Sequence, residues 1–202
     1  MSISATKVKG ILSSKTAFDQ RFVPNLEELQ AITKTLKDSG HRVVLTQGVF
    51  DLIHEGHARY LELAREEGDV LIVGVDTDEV TRKRKGPSRP VVPQAERLQM
   101  LAFLRSVDVI TLRVQEEVEK DIDFLHKMLR PDVFVMSTST KDFPLEKKQE
   151  IEQYVGKVVI FEPQAETSST ARIRHLMIEG VTGLETEINK AIKGYYSKVG
   201  VN

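Results

Sequence analysis

Short apolar runs rich in β-branched residues recur at 42–45, 70–75, 107–111, 133–136 and 158–161, and each reads as a strand. The run at 70–75 is apolar without alternation, the pattern expected where helices cover both faces of a parallel sheet. Between the runs the apolar positions take helical spacing. Leu26, Leu29, Ile32 and Leu36 form one stripe; Asn25 with Glu28 three residues on marks its start, and Gly40 its stop. Tyr60, Leu61 and Ala64 suit a helix over 58–67, and a short helix is expected over 76–80. Leu98, Leu101, Ala102 and Leu104 suit one over 94–105 opened by Pro93, and Val118, Ile122, Leu125 and Leu129 one over 116–129. A helix is expected at 145–154 and another from 168–170 to Ile178, stopped by Gly180. Leu184, Ile188, Ala191, Ile192 and Tyr195 suggest an appended amphipathic helix. Residues 1–24 are weakly patterned and read as an extended lead-in, which divides the chain into 1–24, a domain over 25–180, and a helical extension over 181–202. Strands alternating with helices argue for an α/β fold with a parallel sheet and right-handed crossovers.

Ligands of such sheets bind beyond the C-terminal ends of the strands, which directs attention to Thr46-Gln47-Gly48-Val49-Phe50-Asp51-Leu52-Ile53-His54-Glu55-Gly56-His57. Here a strand passes through a turn into a helix. Gly48 lets the backbone approach a bulky anion, and the free N–H groups and positive dipole end of the helix favour one there. His54 and His57, three apart, can project from one side and donate to phosphate oxygens. The competing reading is a pair of solvent-exposed histidines at a helix start. A zinc site is disfavoured: the spacing is not H-E-x-x-H, there is no cysteine, and only His41, His126 and His175 remain as further imidazoles. Asp76, the basic stretch 81–90, the polar stretch 137–140 and residues 166–174 fall at the same ends of the strands. The basic stretch is either a solvated charged face or an anion-binding lid.

Composition narrows the partners. The 202 residues suit one domain with its own core, and 29 Lys plus Arg against 30 Asp plus Glu leave no basic excess for nucleic acid or an anionic membrane. The absence of cysteine excludes disulfide and thiolate chemistry. The first 18 residues lack the apolar core of a secretory signal, and no run reaches transmembrane length, so a cytoplasmic protein is expected.

Gly48 to His57 resembles the G-x-F-D-x-x-H-x-G-H signature of the cytidylyltransferase-like nucleotidyltransferases, and Ser168-Ser169-Thr170-Ala171-Arg172-Ile173-Arg174 is similar to the segment that closes the same site. Lys85-Gly86-Pro87-Ser88-Arg89-Pro90-Val91, with Glu96-Arg97 and Ser106-Val107-Asp108, is most similar to the heptose-1-phosphate adenylyltransferase branch. The resemblance covers residues 26–179. It implies a single Rossmann-like, doubly wound domain with five parallel strands in the order 3-2-1-4-5, plus an extra C-terminal helix.

The resemblance also implies roles. His54 and His57 would contact the triphosphate and stabilise charge in the transition state, and Lys85 and Arg97 would bind the incoming phosphate. Thr46, Gln47, Gly48, Val49, Phe50 and Gly56 would line the nucleotide, with Ser168, Ser169, Thr170 and Arg172 holding its outer phosphates. Asp51, Asp76, Arg89 and Asp142 would face the second substrate, with the nucleotide the alternative for Asp76, and Asp51 bracing the turn more than doing chemistry. Mg2+ would accompany the triphosphate, no protein metal site is implied, and a homodimer is expected through residues 105–110. One departure stands out: where the heptose branch has a Gly-Gly-Asp-Tyr-like stretch, Met136 is followed by Ser137-Thr138-Ser139-Thr140-Lys141-Asp142-Phe143. The activity implied is transfer of AMP from ATP to a sugar 1-phosphate. The alternatives are a glycerol-3-phosphate or other alcohol-phosphate cytidylyltransferase using CTP, and a nucleotide-binding protein of the same fold without turnover.

Overall fold

Five strands, β1 (Val43–Gly48), β2 (Val70–Asp76), β3 (Val109–Arg113), β4 (Val133–Ser137) and β5 (Lys157–Phe161), pair in parallel in the order β3-β2-β1-β4-β5. The computed structural model describes residues 3–12, 17–138, 145–164 and 169–199, which fall into two units, Met1–Gln164 and Ala165–Asn202.

The wholly apolar strands sort their residues by pleat. Val43, Leu45, Ile72, Val109 and Phe134 join one buried cluster, and their neighbours Val44, Leu71, Val73, Ile110, Val133 and Val135 join another. The helices of the first unit are α1 (Ile3–Ile11), α2 (Phe18–Arg21), α3 (Leu26–Asp38), α4 (Glu55–Glu66), α5 (Asp78–Lys85), α6 (Gln94–Phe103), α7 (Gln115–Lys120), α8 (Phe124–Leu129) and α9 (Leu145–Glu152). Leu29, Ile32 and Leu36 of α3, with Leu125 and Leu129 of α8, fill the first cluster. Leu61 and Ala64 of α4, with Leu98, Leu101 and Ala102 of α6, fill the second. Asn25 caps α3, its Oδ1 accepting from Glu28 N at 2.8 Å, and Gly40 leaves the helix at φ 82°. In β2 a Cβ on Gly74 would lie 2.6 Å from Leu125 Cδ2, so a larger residue there would require the Leu125 side chain of α8 to shift.

Four sequence expectations are corrected. The lead-in, expected to be extended, carries the helices α1 and α2 among its described residues, and Phe22 pairs with Ile110, so that Val23 N donates to Ile110 O at 2.8 Å and the outer edge of β3 is covered there. The helix after β2 runs on through the basic residues to Lys85, because Thr77 caps it and four cations suit its C-terminal turn, where Gly86 (φ 97°) ends it. The helix expected over 116–129 breaks into α7 and α8. Asp121 Oδ1 accepts from Asp123 N at 2.9 Å, a side-chain turn that competes with the helix ladder. In the second unit, α10 runs unbroken from Ser169 to Val199 past Gly180. An interior glycine costs a helix only about 1 kcal/mol and no proline follows to stop it.

Candidate active site

The turn between β1 and α4 is built from strained backbone held from outside. Phe50 and Leu52 take left-handed φ values of 52° and 49°, a conformation that costs a non-glycine residue about 1–3 kcal/mol unless its surroundings impose it. Asp51, between them and buried, imposes it. Its carboxylate accepts from Val91 N at 3.0 Å and Val92 N at 2.9 Å and pairs with Arg89 Nη2 at 2.8 Å. Those bonds tie the turn to the loop between α5 and α6, and they outweigh burial in holding the Asp51 carboxyl below its ordinary pKa. Phe50 lays its ring where a Cβ on Gly48 would come within 3.3 Å, and meets the His57 ring edge-on at 5.8 Å.

His54 is the N-cap of α4. Its Nδ1 accepts from Gly56 N at 3.1 Å, so the neutral ring carries its proton on Nε2. The His54 and His57 rings stand 4.1 Å apart, centroid to centroid. Burial, with the positive charges of His54 and Lys85, pushes the His57 pKa down to about 4; Asp51 acts weakly in the other direction. Its Nδ1 is buried without a hydrogen-bond partner. Lys85, at the end of α5, has no hydrogen bond or ion pair among the described residues. Partial burial and the neighbouring Arg89 and Arg84 lower its ammonium pKa.

The His57 shift carries a sign for stability. The folded state resists protonation of a ring that the unfolded chain protonates near 6.5. Titration of His57 therefore contributes nothing above pH 6.5, and stability falls as pH drops from there toward 4, by up to about 3 kcal/mol at roughly 1.4 kcal/mol per pKa unit. Melting of wild type and His57→Gln between pH 7 and pH 4.5 should show a shallower loss in the variant; parallel curves would contradict the assignment.

Other expected site residues are placed differently. Arg97, read from the resemblance as a phosphate ligand, is buried with every nitrogen engaged. Nε donates to Val92 O at 3.0 Å, Nη1 to Val49 O, and Nη2 to Asp76 O at 3.0 Å and Asp78 Oδ1 at 2.7 Å. It is a tie, not a presented cation. Asp76, expected to face a substrate, is fully buried between Arg113 and Arg84. The Thr46 hydroxyl is spent on Tyr60 Oη at 2.6 Å and Val135 O at 3.0 Å, while Gln47 Oε1 is buried and unpartnered. Val49 and Gly56 are buried within the turn and the first turn of α4. Asp142 and Ser168 lie outside the described residues, as do the side chains of Ser169, Thr170 and Arg172 at the start of α10. Sequence reasoning includes Arg84 only within the basic stretch 81–90 and misses Arg113; a lone arginine closing the apolar strand 109–113 is the signal available for the latter.

The cluster thus sets Arg84, Lys85, Arg89, Arg97 and Arg113 against Asp51, Asp76 and Asp78. Each carboxylate is engaged by arginine, so the excess charge is positive and the chemistry favoured is anion binding. No group of three or more His, Cys, Asp or Glu able to hold a metal occurs among the described residues. A groove of about 720 Å³ between α5 and α7 sets Arg82 and Lys83 against Glu79, Glu116 and Glu119; its carboxylates outnumber its cations, which does not favour an anion, and none of these residues belongs to this cluster.

Residues 45–176 match the family described as cytidylyltransferase-like. Bifunctional protein HldE of a Nitratiruptor species is 40% identical over 124 residues, 61% of this chain and 26% of that protein. HldE of Methylobacillus flagellatus is 35% identical over 81% of this chain and 33% of that protein, and HldE of Desulfatibacillum aliphaticivorans 30% identical over 86% and 35%. The chain therefore spans about a quarter to a third of these relatives. A solved lipopolysaccharide core biosynthesis protein from Thermoplasma volcanium is 27% identical with a TM-score of 0.51, covering 60% of this chain and 97% of that one. Pantoate-beta-alanine ligase from Francisella tularensis shares the fold alone, at 14% identity and a TM-score of 0.54 over 74% of this chain and 68% of its own.

Proposed function

This chain belongs to the cytidylyltransferase-like family of nucleotidyltransferases, and from that premise we propose that it transfers AMP from ATP to a sugar 1-phosphate resembling D-glycero-D-manno-heptose 1-phosphate, releasing pyrophosphate. The observation that carries the reading is the close pair of rings His54 and His57 at the N-terminus of α4, beside a lysine with no hydrogen-bond or ion-pair partner among the described residues, in a cluster whose carboxylates are all neutralised. The similarity to a lipopolysaccharide core biosynthesis protein supports a sugar phosphate as the acceptor.

An oxygen of the sugar phosphate attacks the α-phosphorus of ATP; the bond from that phosphorus to the bridging oxygen breaks, and pyrophosphate leaves with the electron pair. The attacking oxygen is already anionic near neutral pH, so no general base is needed. The difficulty is bringing two anions together, which asks for positioning and neutralisation. His54 Nε2–H and the His57 ring would donate to the triphosphate, and Lys85 would meet the incoming phosphate. Magnesium enters as part of the nucleotide substrate, carried on triphosphate oxygens, since Asp51, Asp76 and Asp78 are committed to arginines.

Pyrophosphate release from ATP or CTP, paired with sugar 1-phosphates and with glycerol 3-phosphate, tests the reading. Release with ATP and the heptose 1-phosphate supports it. Release confined to CTP and an alcohol phosphate supports the cytidylyltransferase alternative, which Ser137 and Thr138 at the end of β4, in place of the branch's glycines, favour. Nucleotide binding without release points to the non-catalytic alternative. The reading includes a cytoplasmic homodimer joined through residues 105–110, which sedimentation measures; no helix among the described residues is long and apolar enough to cross a membrane.

A further inference from the structure

Asp76 has two cationic partners of unequal standing. Arg113 Nη1 reaches its Oδ1 at 2.5 Å, and Arg84 Nη1 its Oδ2 at 2.7 Å. Arg113 is locked in place: its side chain is 2% exposed, its Nη2 donates to Ile122 O at 2.8 Å, and its Cδ passes 3.2 Å from where a Cβ on Gly74 would sit. Arg84 is held by one contact. It lies in the last turn of α5 with its side chain 40% exposed, and Asp76 is its sole hydrogen-bond or ion-pair partner among the described residues. A guanidinium has five N–H donors, so most of Arg84's capacity is unused.

One carboxylate needs one guanidinium for neutrality. The Asp76–Arg113 pair is complete without Arg84, which leaves a spare positive charge at the C-terminal end of β2, next in sequence to Lys85. The pairing is also inexpensive to exchange. Asp76 is buried, but it keeps Arg113 when Arg84 leaves, so no buried charge is stranded, whereas a guanidinium on a phosphate can form two parallel charge-assisted hydrogen bonds. Arg84 and Arg89 both lie close enough to act on the charge of Lys85, and Lys85 and Asp51 on that of His57, which places these residues in one neighbourhood.

We infer that Arg84 is a transferable clamp for the acceptor's phosphate: it releases Asp76 when the phosphorylated sugar arrives and grips the phosphate together with Lys85, while Arg113 keeps Asp76 neutralised in the wall. The inference rests on the transfer reaction proposed above. It assigns the acceptor side of the reaction to the end of β2, one strand out from the histidine pair that follows β1.

The test is Arg84→Ala and Arg84→Lys in the full chain, with steady-state kinetics on ATP and D-glycero-D-manno-heptose 1-phosphate, melting temperature, and calorimetric titration with inorganic phosphate. For Arg84→Ala the acceptor KM should rise about 10- to 100-fold, the loss expected when a charge-assisted bidentate contact goes, with the ATP KM and kcat changed less than about threefold and melting little altered; Arg84→Lys should recover part of the loss. An unchanged acceptor KM, or a rise confined to ATP, overturns the assignment. If the wild-type chain turns over no sugar phosphate, the proposed reaction fails and the phosphate titration decides for Arg84. Weakening by about tenfold or more in Arg84→Ala then upholds the clamp, and equal or unmeasurable binding in both proteins refutes it.

Discussion

Arg97→Met is expected to destabilise the first unit by about 3 kcal/mol, with loss of activity following from loss of the folded turn. The side chain of Arg97 joins three segments far apart in sequence: Val49 in the strained turn, Asp76 and Asp78 at the end of β2, and Val92 in the loop before α6. Methionine fills much of the same volume but leaves three carbonyl oxygens without their donor and Asp78 without its counter-charge. Breaking one partner out of a buried pair costs about 3–5 kcal/mol. Asp78 keeps a quarter of its side chain in water, which places the effect at the lower end. Arg97→Lys should recover little, because one ammonium cannot span the fork. Denaturant unfolding measures the effect directly. A variant that unfolds like wild type but shows a raised KM for either substrate would mean that Arg97 serves phosphate after all, as the family resemblance implies.

The difference between Arg97 and Lys85 shows what the sequence can and cannot convey. Both are cations near the ends of strands, and both carry the same expected role by resemblance. Their fates diverge because helix α6 turns Arg97 inward beneath the turn, while Lys85 is the last residue of a helix whose end faces outward. Nothing local to either residue encodes this. The strands, by contrast, are legible: an apolar run buried on both faces looks the same whatever packs on it, and the five runs mark the five strands. The histidine pair is legible for a similar reason, since the N-cap bond of His54 and the ring contact with His57 span only three residues. The partners of Asp51 and Asp76 lie 37 to 41 residues away or come from another element, so the sequence can name these carboxylates but not their engagement. The lead-in is misread because it docks through scattered residues, Ile11 and Val23 in the first core cluster and Phe22 on the edge of β3, rather than through a regular stripe.

His57→Ala is expected to lower kcat by about 100- to 1000-fold, the usual cost of removing one donor that stabilises developing charge, while leaving the fold intact. Two features separate this from damage to the structure. First, the buried Nδ1 of His57 has no partner, and an unsatisfied buried polar atom costs about 1–3 kcal/mol; removing it relieves a penalty, so the variant should melt no lower than wild type and, near pH 5, higher. A residue kept against its own stability cost is the pattern expected of function. Second, the low pKa reports a ring that stays neutral at pH 7. A triphosphate placed beside it favours the charged form and should raise that pKa toward or above its ordinary value. ATP binding at pH 5–6 should therefore take up a proton in the wild-type chain and less of one in His57→Ala, which calorimetry in buffers of different ionisation enthalpy resolves. Near-normal kcat in a well-folded variant would remove His57 from the chemistry, and equal proton uptake would place the triphosphate elsewhere.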